Sequence, residues 1–307
     1  MPIAYISHAA CMKHDVGKDH PERPARLSAI NDQLISSGME FVLQQHDAPV
    51  ARREHLERVH DPDYISMLIT DAPHEGILEL DGDTFMMPYT LDAALRAAGA
   101  GVHAVDLVMA GGVKSAFCAV RPPGHHAERG EAMGFCYFNN IAVAAAHALY
   151  AHGLERVAVI DFDVHHGNGT EDIFENESRV LFCSSFQHPF YPFTGHESET
   201  DHVVNITLPA GASGTDFRSA VTAHWLPALE HHRPQMVLIS AGFDAHVEDE
   251  MGHIRLREED YRWITHELKM IADRHAEGRI VSMLEGGYSL SALGRSVVAH
   301  LDALLGH

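Results

Sequence analysis

Short runs dense in β-branched and other apolar residues recur along the chain, at 114–120 (KSAFCAV), 156–163 (RVAVIDFD), 179–185 (RVLFCSS), 202–208 (HVVNITL), 235–244 (QMVLISAGFD) and 279–287 (RIVSMLEGG). Stretches of helical composition separate them, at 91–110, 140–152, 217–230 and 258–276. Near-continuous apolar runs mark strands covered on both faces, whereas half-exposed strands alternate. This alternation of strands and helices predicts an open α/β fold, one domain over 1–307, with a mostly parallel central sheet and helices on both faces. In the Ala-rich 91–110 stretch and just after it, Gly99, Gly101 and Gly111 point to close packing on that sheet.

Four of the runs end directly in polar strings: RPPGHHAE (121–128), DFDVHHGNGT (161–170), AGFDAH (241–246) and EGGY (285–288). In open parallel sheets, ligands bind beyond the carboxyl ends of the strands. The four strings are therefore expected to converge on one site, which points to an enzyme.

Asp161, Asp163 and His165 alternate with Phe162 and Val164. On an extended segment, residues two apart project to one side, so two carboxylates and an imidazole can face a common point. That set suits a divalent cation, and two buried carboxylates are costly without a cation or donors. The plainer alternative is a strand end whose Asp side chains cap a loop. Asp244, just past an apolar strand, would complete three ligands with one position open for water, the catalytic pattern of metal sites. Taken alone it could equally cap a helix. His125 and His126 sit on a Pro-Pro-Gly turn, and adjacent side chains diverge. One could be held cationic by a carboxylate while the other exchanges protons near neutral pH. Further metal ligation or plain surface exposure is the alternative. Tyr288 follows two glycines that permit close backbone approach, and its phenol could polarise a carbonyl. A merely buried tyrosine fits EGGY as well.

Other features read plainly. Glu248, Asp249 and Glu250, and Glu258, Glu259 and Asp260, are expected on solvated faces, the second group near a helix start. His231, His232 and His300 are expected on the surface. GxSxG, Walker A and GxGxxG are missing from the sequence, so serine hydrolase, NTPase and dinucleotide readings lack support.

Composition narrows the partners. With 46% hydrophobic and 21% charged residues, the chain reads as a packed globule. No apolar run approaches the roughly 18 residues of a membrane span. The first residues lack the cationic and apolar regions of a secretory signal, so a cytoplasmic protein is expected. Cys11, Cys118, Cys136 and Cys183 form no CxxC pair and are expected as free thiols in a reducing cytosol, mostly buried in apolar strings. A net charge of −21 argues against a nucleic-acid partner and favours cationic ones. With 26 histidines, an isolated one carries little weight and only clusters at ligand spacing count.

Together with HPERPARL (20–27), GFCYFNN (134–140) and SSFQHPFYPFTG (184–195), the four strings resemble the zinc-dependent histone deacetylase family, of the arginase–deacetylase fold. The HHGNGT wording is closer to class II deacetylases and bacterial amidohydrolases than to class I. The resemblance implies hydrolysis of an acyl-lysine in a peptide or protein, or of an acetylated small amine such as an acetylpolyamine. It implies Zn2+ (with Fe2+ suited to the same ligands) on Asp163, His165 and Asp244. Asp161 would pair with His125, His126 would be general base and then acid, and Tyr288 would polarise the acyl carbonyl. Asn168 stands where class I members carry a carboxylate, which should lower the pKa of His126. Phe135 and Tyr191 would wall the acyl-lysine channel, with Gly287 close to the substrate. Met251 takes the place of a polyamine-selecting glutamate, and Arg26 that of the acetate-release arginine. Structural K+ would sit at Asp161, Asp163, His165 and Ser184, with a second site near Phe174 and Val180. Two rivals are a two-metal ureohydrolase on the same fold and a non-catalytic acyl-lysine binding module. Nothing in the sequence indicates an oligomeric state.

Overall fold

The computed structural model describes residues 2–198 and 200–306. Its strands in chain order are β1 (Ile3–Ser7), β2 (Leu43–Asp47), β3 (Leu78–Asp81), β4 (Thr84–Met86), β5 (Ser115–Cys118), β6 (Val157–Asp161), β7 (Val180–Gln187), β8 (Val203–Leu208), β9 (Val237–Ala241) and β10 (Ile280–Leu284). The helices are α1 (Ala25–Ser37), α2 (Arg53–Leu56), α3 (Pro62–Thr70), α4 (Thr90–Met109), α5 (Asn140–Tyr150), α6 (Asn168–Phe174), α7 (Gly214–His232), α8 (Glu258–His275) and α9 (Leu290–Leu305). Eight strands form one sheet in the order β2-β1-β5-β10-β9-β6-β7-β8, and β3 and β4 form a separate hairpin. Every pairing in the large sheet is parallel. α4 packs with α5 as one layer, while α1, α9, α8 and α7 pack in succession as another.

All six apolar runs become strands of this sheet. The four that end in polar strings, β5, β10, β9 and β6, are adjacent at its centre and buried at every position. Their register places Cys118 beside Met283, Met283 beside Ser240, and Ser240 beside Asp161. The four strings thus leave the sheet from one level row, and this brings them to a common site. Sequence patterning misses β1 and β2. β2 lies at the sheet edge, and its polar LQQHD is mostly exposed.

Several plain expectations are corrected. Gly99 packs on a loop, not the sheet: a Cβ there would lie 2.0 Å from the Pro49 carbonyl oxygen. Gly101 faces Ala144 of α5 as well as Met283 of β10, and Gly111 has φ +78° with open space around it. His300 is buried, its Nδ1 2.7 Å from Thr265 Oγ1 and its Nε2 2.9 Å from Ser282 Oγ. Burial pulls its pKa down to about 3, so the imidazole is neutral. His231 is exposed, but His232 is half-buried with Nε2 3.0 Å from the Val157 carbonyl. Asp260 is buried because its Oδ2 accepts from Arg257 N (2.9 Å) at the start of α8. Asp249 is buried too, for a reason that belongs to the site. Among the described residues no helix is long and apolar enough to cross a membrane. All four cysteines are free and buried.

Candidate metal centre and active site

Beyond β6 the chain bends at 163–165 rather than continuing as an extended strand, and Phe162 and Val164 are buried in the core. Asp163 and His165 then meet Asp244 from the end of β9. His165 Nδ1 is 3.0 Å from Asp163 Oδ1 and 3.3 Å from Asp244 Oδ2. One ligand atom from each of the three lies within 4.8 Å of the others, and all three residues are buried. Backbone N–H groups aim the carboxylates: Val164 N donates to Asp244 Oδ1 (2.8 Å) and Gly286 N to Asp163 Oδ2 (2.8 Å). Glycine is required at that approach, since a Cβ on Gly286 would lie 2.0 Å from Asp244 Oδ2. Asp244 Oδ2 itself is buried without a hydrogen-bond partner.

Burial, and then the neighbouring Asp163, push the Asp244 carboxyl up to about 7. Burial acts on Asp163 in the same direction, but the cationic His125 and the bonds from His165 hold it well below the usual range. An orphaned carboxylate oxygen, a second carboxylate and an imidazole nitrogen within coordination reach fit a divalent cation.

The two histidines of the GHH turn divide as expected. His125 Nδ1 is 2.8 Å from Asp161 Oδ2, whereas His126 Nδ1 is 2.8 Å from Asn168 Oδ1. The rings lie only 4.0 Å apart. Burial lowers the pKa of both. For His125 the Asp161 and Asp163 carboxylates reverse this and push it up to about 10. For His126, burial and the imidazoles of His125 and His165 together hold it well below the ordinary value. One imidazole is cationic and the other neutral. Glu285 fixes their turn: Oε2 accepts from Gly124 N (2.7 Å) and His125 N (3.2 Å), and Oε1 from Ser240 Oγ (3.1 Å). The sequence reading passed over this residue. Its signal was a glutamate at the end of a fully apolar strand.

Above these groups lies a cavity of about 310 Å³, lined by His125, His126, His165, Phe135, Tyr191, Met251 and Tyr288, with Phe190, Asp83 and Glu250. Phe190, missed by the sequence reading although it precedes Tyr191, stacks on His165 at 5.5 Å. Tyr191 stands edge-on to His126 at 5.3 Å. Phe135 meets Tyr288 edge-on at 6.1 Å. Asp249, expected in solvent, holds the Tyr288 backbone instead, its Oδ2 accepting from Tyr288 N (2.7 Å) and Ser289 N (2.8 Å).

Of the triad only His165 lines this cavity, and two residues expected at the substrate and acetate channels, Gly287 and Arg26, also fall outside its lining. Gly287 does not line it and has φ +121°. Its carbonyl accepts from Arg26 Nε at 2.7 Å. Arg26 is fully buried, pairs with Glu22, and lies 4.8 Å from the centre of the Tyr288 ring. Of the residues expected at monovalent cations, Ser184 neighbours Asp161 in register and its Oγ is 3.1 Å from His166 Nδ1. The Phe174 carbonyl oxygen is 3.0 Å from His202 Nε2, and Val180 begins β7. A second His–carboxylate cluster, Asp106, His147 and His152, lies away from the cavity on α4 and at the end of α5.

The histone deacetylase domain model matches residues 20–304. The histone deacetylase-like amidohydrolase of Pseudomonas aeruginosa is 37% identical over 94% of this chain and 77% of its own. The human polyamine deacetylase HDAC10 is 38% identical over 93% of this chain, which spans 44% of that protein's length. The crystal structure of the HDA15 HD domain superposes with a TM-score of 0.94 at 33% identity, covering 100% of this chain and 89% of the other. With the domain model matched over most of its length and relatives above 30% identity, the chain is a deacetylase and belongs to the histone deacetylase family.

Proposed function

We propose that the cavity hydrolyses the N-acyl bond of acyl-lysine or a similar primary amine, with Zn2+ held by Asp163, His165 and Asp244, and 1–307 as one catalytic domain. The observation that carries this is a buried metal-fitting triad whose His165 lines one cavity together with the His126 imidazole and the Tyr288 phenol. The bound ion, zinc or Fe2+, supplies Lewis acidity toward water and the acyl oxygen. His126, neutral near pH 7, accepts a proton from the water as its oxygen adds to the acyl carbon. Tyr288 donates its phenolic hydrogen bond to the developing oxyanion. The C–N bond then breaks as His126 passes that proton to the amine nitrogen, giving a carboxylate and a free amine. His125, charged through Asp161, contributes a fixed positive charge beside the same centre.

Phe135, Phe190, Tyr191 and Met251 would pack an aliphatic stem, while Arg26, under the Tyr288 ring, would attract departing acetate. K+ suits the oxygens around Asp161, Asp163, His165 and Ser184, and a second ion those near Phe174 and Val180. A reducing compartment, the cytoplasm, suits four buried free thiols. Two rim carboxylates, Asp83 and Glu250, support a second reading, an acetylated small amine bearing further positive charge. The likeness to a polyamine deacetylase favours it, and Met251 at the glutamate's place does not.

Turnover of acetyl-lysine peptides, longer acyl-lysines and acetylpolyamines by the zinc-loaded chain separates these readings. Chelator-sensitive release of free amine is expected. Absence of metal-dependent turnover on every substrate would leave a binding module, and two divalent ions per chain would favour the ureohydrolase reading.

A further inference from the structure

Asn168 stands between His126, which lines the catalytic cavity, and a second cleft that Asn168 itself lines. On the inner side its Oδ1 faces His126 Nδ1 at 2.8 Å. On the outer side its Nδ2 donates to Glu128 Oε1 at 2.7 Å, and the two residues line a separate cleft of about 250 Å³. A carboxylate only accepts, so Glu128 fixes the NH2 end of the amide outward with the shortest of its bonds, the same Nδ2 also reaching Met133 Sδ (3.2 Å) and the His126 carbonyl (3.4 Å). The inward end is then Oδ1, which also only accepts, and His126 must carry its proton on Nδ1. Its Nε2, without a hydrogen-bond partner among the described residues, is left as the free base.

The backbone of Glu128 is itself held. Asn139 N donates to His60 Nε2 (2.9 Å), so His60 is protonated on Nδ1, which donates to the Glu128 carbonyl (2.9 Å). Glu128 N donates to the Glu131 carbonyl (3.0 Å).

We propose that Glu128 is a positioning residue for proton transfer: through the Asn168 amide it selects the His126 tautomer whose Nε2 is free. This rests on the reading of His126 as the acid–base group. Without Glu128 the amide can turn over and present its NH2 to His126 Nδ1. The imidazole proton then moves to Nε2, where it blocks the base. Hydrogen-bond partners of this kind set a histidine's tautomer elsewhere in catalysis and metal binding.

The test uses the full zinc-loaded chain for kinetics and the metal-free chain for 15N spectra, with His126 assigned by difference from His126→Gln. Glu128→Leu should lower kcat about tenfold at unchanged KM and zinc content, well short of the roughly 10²–10⁴ for losing an acid–base group. Glu128→Gln, whose carbonyl can still accept, should recover most of that loss. Asn168→Asp sets two carboxylates face to face and should lose rate, and Asn168→Asp with Glu128→Gln should regain it. The 15N pattern of His126 should be Nδ1–H in the native chain and shift toward Nε2–H in Glu128→Leu. An unchanged 15N pattern in Glu128→Leu overturns the proposal, as do equal losses in the Leu and Gln variants. Should Glu128→Leu not fold, failure of the double variant to recover from Asn168→Asp overturns it. If His126→Ala keeps its turnover, the acid–base reading fails, and the 15N pattern still decides the role of Glu128.

Discussion

Asp163, His165 and Asp244 on one side, and Asp106, His147 and His152 on the other, each bring carboxylate and imidazole atoms within 4.8 Å of one another. By residue type and distance they are near equivalents. They differ in what else touches them. In the outer set Arg58 Nη1 donates to His147 Nδ1 (2.9 Å), so His147 carries its proton on Nε2 and donates to Asp106 Oδ1 (2.8 Å). His152 Nε2 meets the same oxygen at 2.7 Å, and Asp106 is half exposed. Hydrogen bonds and the exposure of Asp106 already meet the demands of that cluster. The inner set is buried, and among the described residues its second carboxylate has an oxygen without a hydrogen-bond partner and no arginine or lysine pairs with it. Proximity of ligand types thus marks both clusters as candidates, and an unmet electrostatic demand in a buried site favours the inner one as the metal centre.

The sharpest break of this comparison is by deletion. Asp163→Ala, His165→Ala and Asp244→Ala should each abolish turnover and lower bound zinc, whereas His147→Ala and His152→Ala should leave both at native levels. Metal content by elemental analysis alongside amine release checks this. A native zinc complement in any inner variant would remove that residue from the ligand set, and zinc loss in an outer one would erase the distinction.

Metal and chemistry can next be separated within the inner site. Tyr288→Phe keeps the ring against Phe135 and over Arg26 and removes only the phenolic donor. A donor that strengthens as oxyanion charge develops is worth about 10²–10³ in turnover. Zinc content and KM should change little, since the loss falls on the transition state. Near-native turnover would make the phenol structural, and loss of zinc would place Tyr288 in the scaffold.

The inner site was legible because its chemistry sits in short strings at the ends of apolar runs. The extended-chain period groups Asp161, Asp163 and His165 correctly although the backbone bends at 163–165, and the four strings need only the rule that ligands bind past parallel strand ends. Residues that act across the fold left fainter traces. Asp249 looks like part of an acidic surface string until the Tyr288 backbone comes to rest on it. Glu128 and Glu285 belong to two of the polar strings, but their partners, Asn168 and the Gly124–His125 backbone, are set by tertiary approach. His300 lacks neighbours of its own kind in sequence, and its two hydroxyl partners come from α8 and β10. The edge strand β2 escaped because an edge tolerates polar residues that a central strand does not.

The smallest effect sharpens the comparison through pH. In the metal-free chain, Asp244 is pushed up by burial and Asp163 from its ordinary 3.8 to about 7. Its protonated form therefore contributes stability that is fully present below 3.8 and is lost as pH rises through 7. Asp106 behaves oppositely: despite partial burial, hydrogen bonds from His147 and His152 hold its carboxyl below the usual value. Its contribution is present above 3.8 and lost as pH falls through that lower value. Thermal unfolding of metal-free native chain and Asp244→Asn, compared from pH 5 to 8, isolates the inner term as the difference between the two curves. The native midpoint should fall relative to the variant as pH rises, by the equivalent of up to a few kcal/mol. Glu285, also raised to about 7 by burial, gives a slope of the same sign that survives in the variant and cancels in the difference. Asp106→Asn should shift the midpoint by no more than about 1 kcal/mol equivalent, since half-exposed pairs are screened by solvent. Adding zinc to the native chain should flatten the inner term, because a bound cation keeps Asp244 ionised in the folded state. A difference curve that stays level without metal, or one that rises with pH, would mean that the inner carboxylates find their compensation elsewhere and that the two clusters are alike after all.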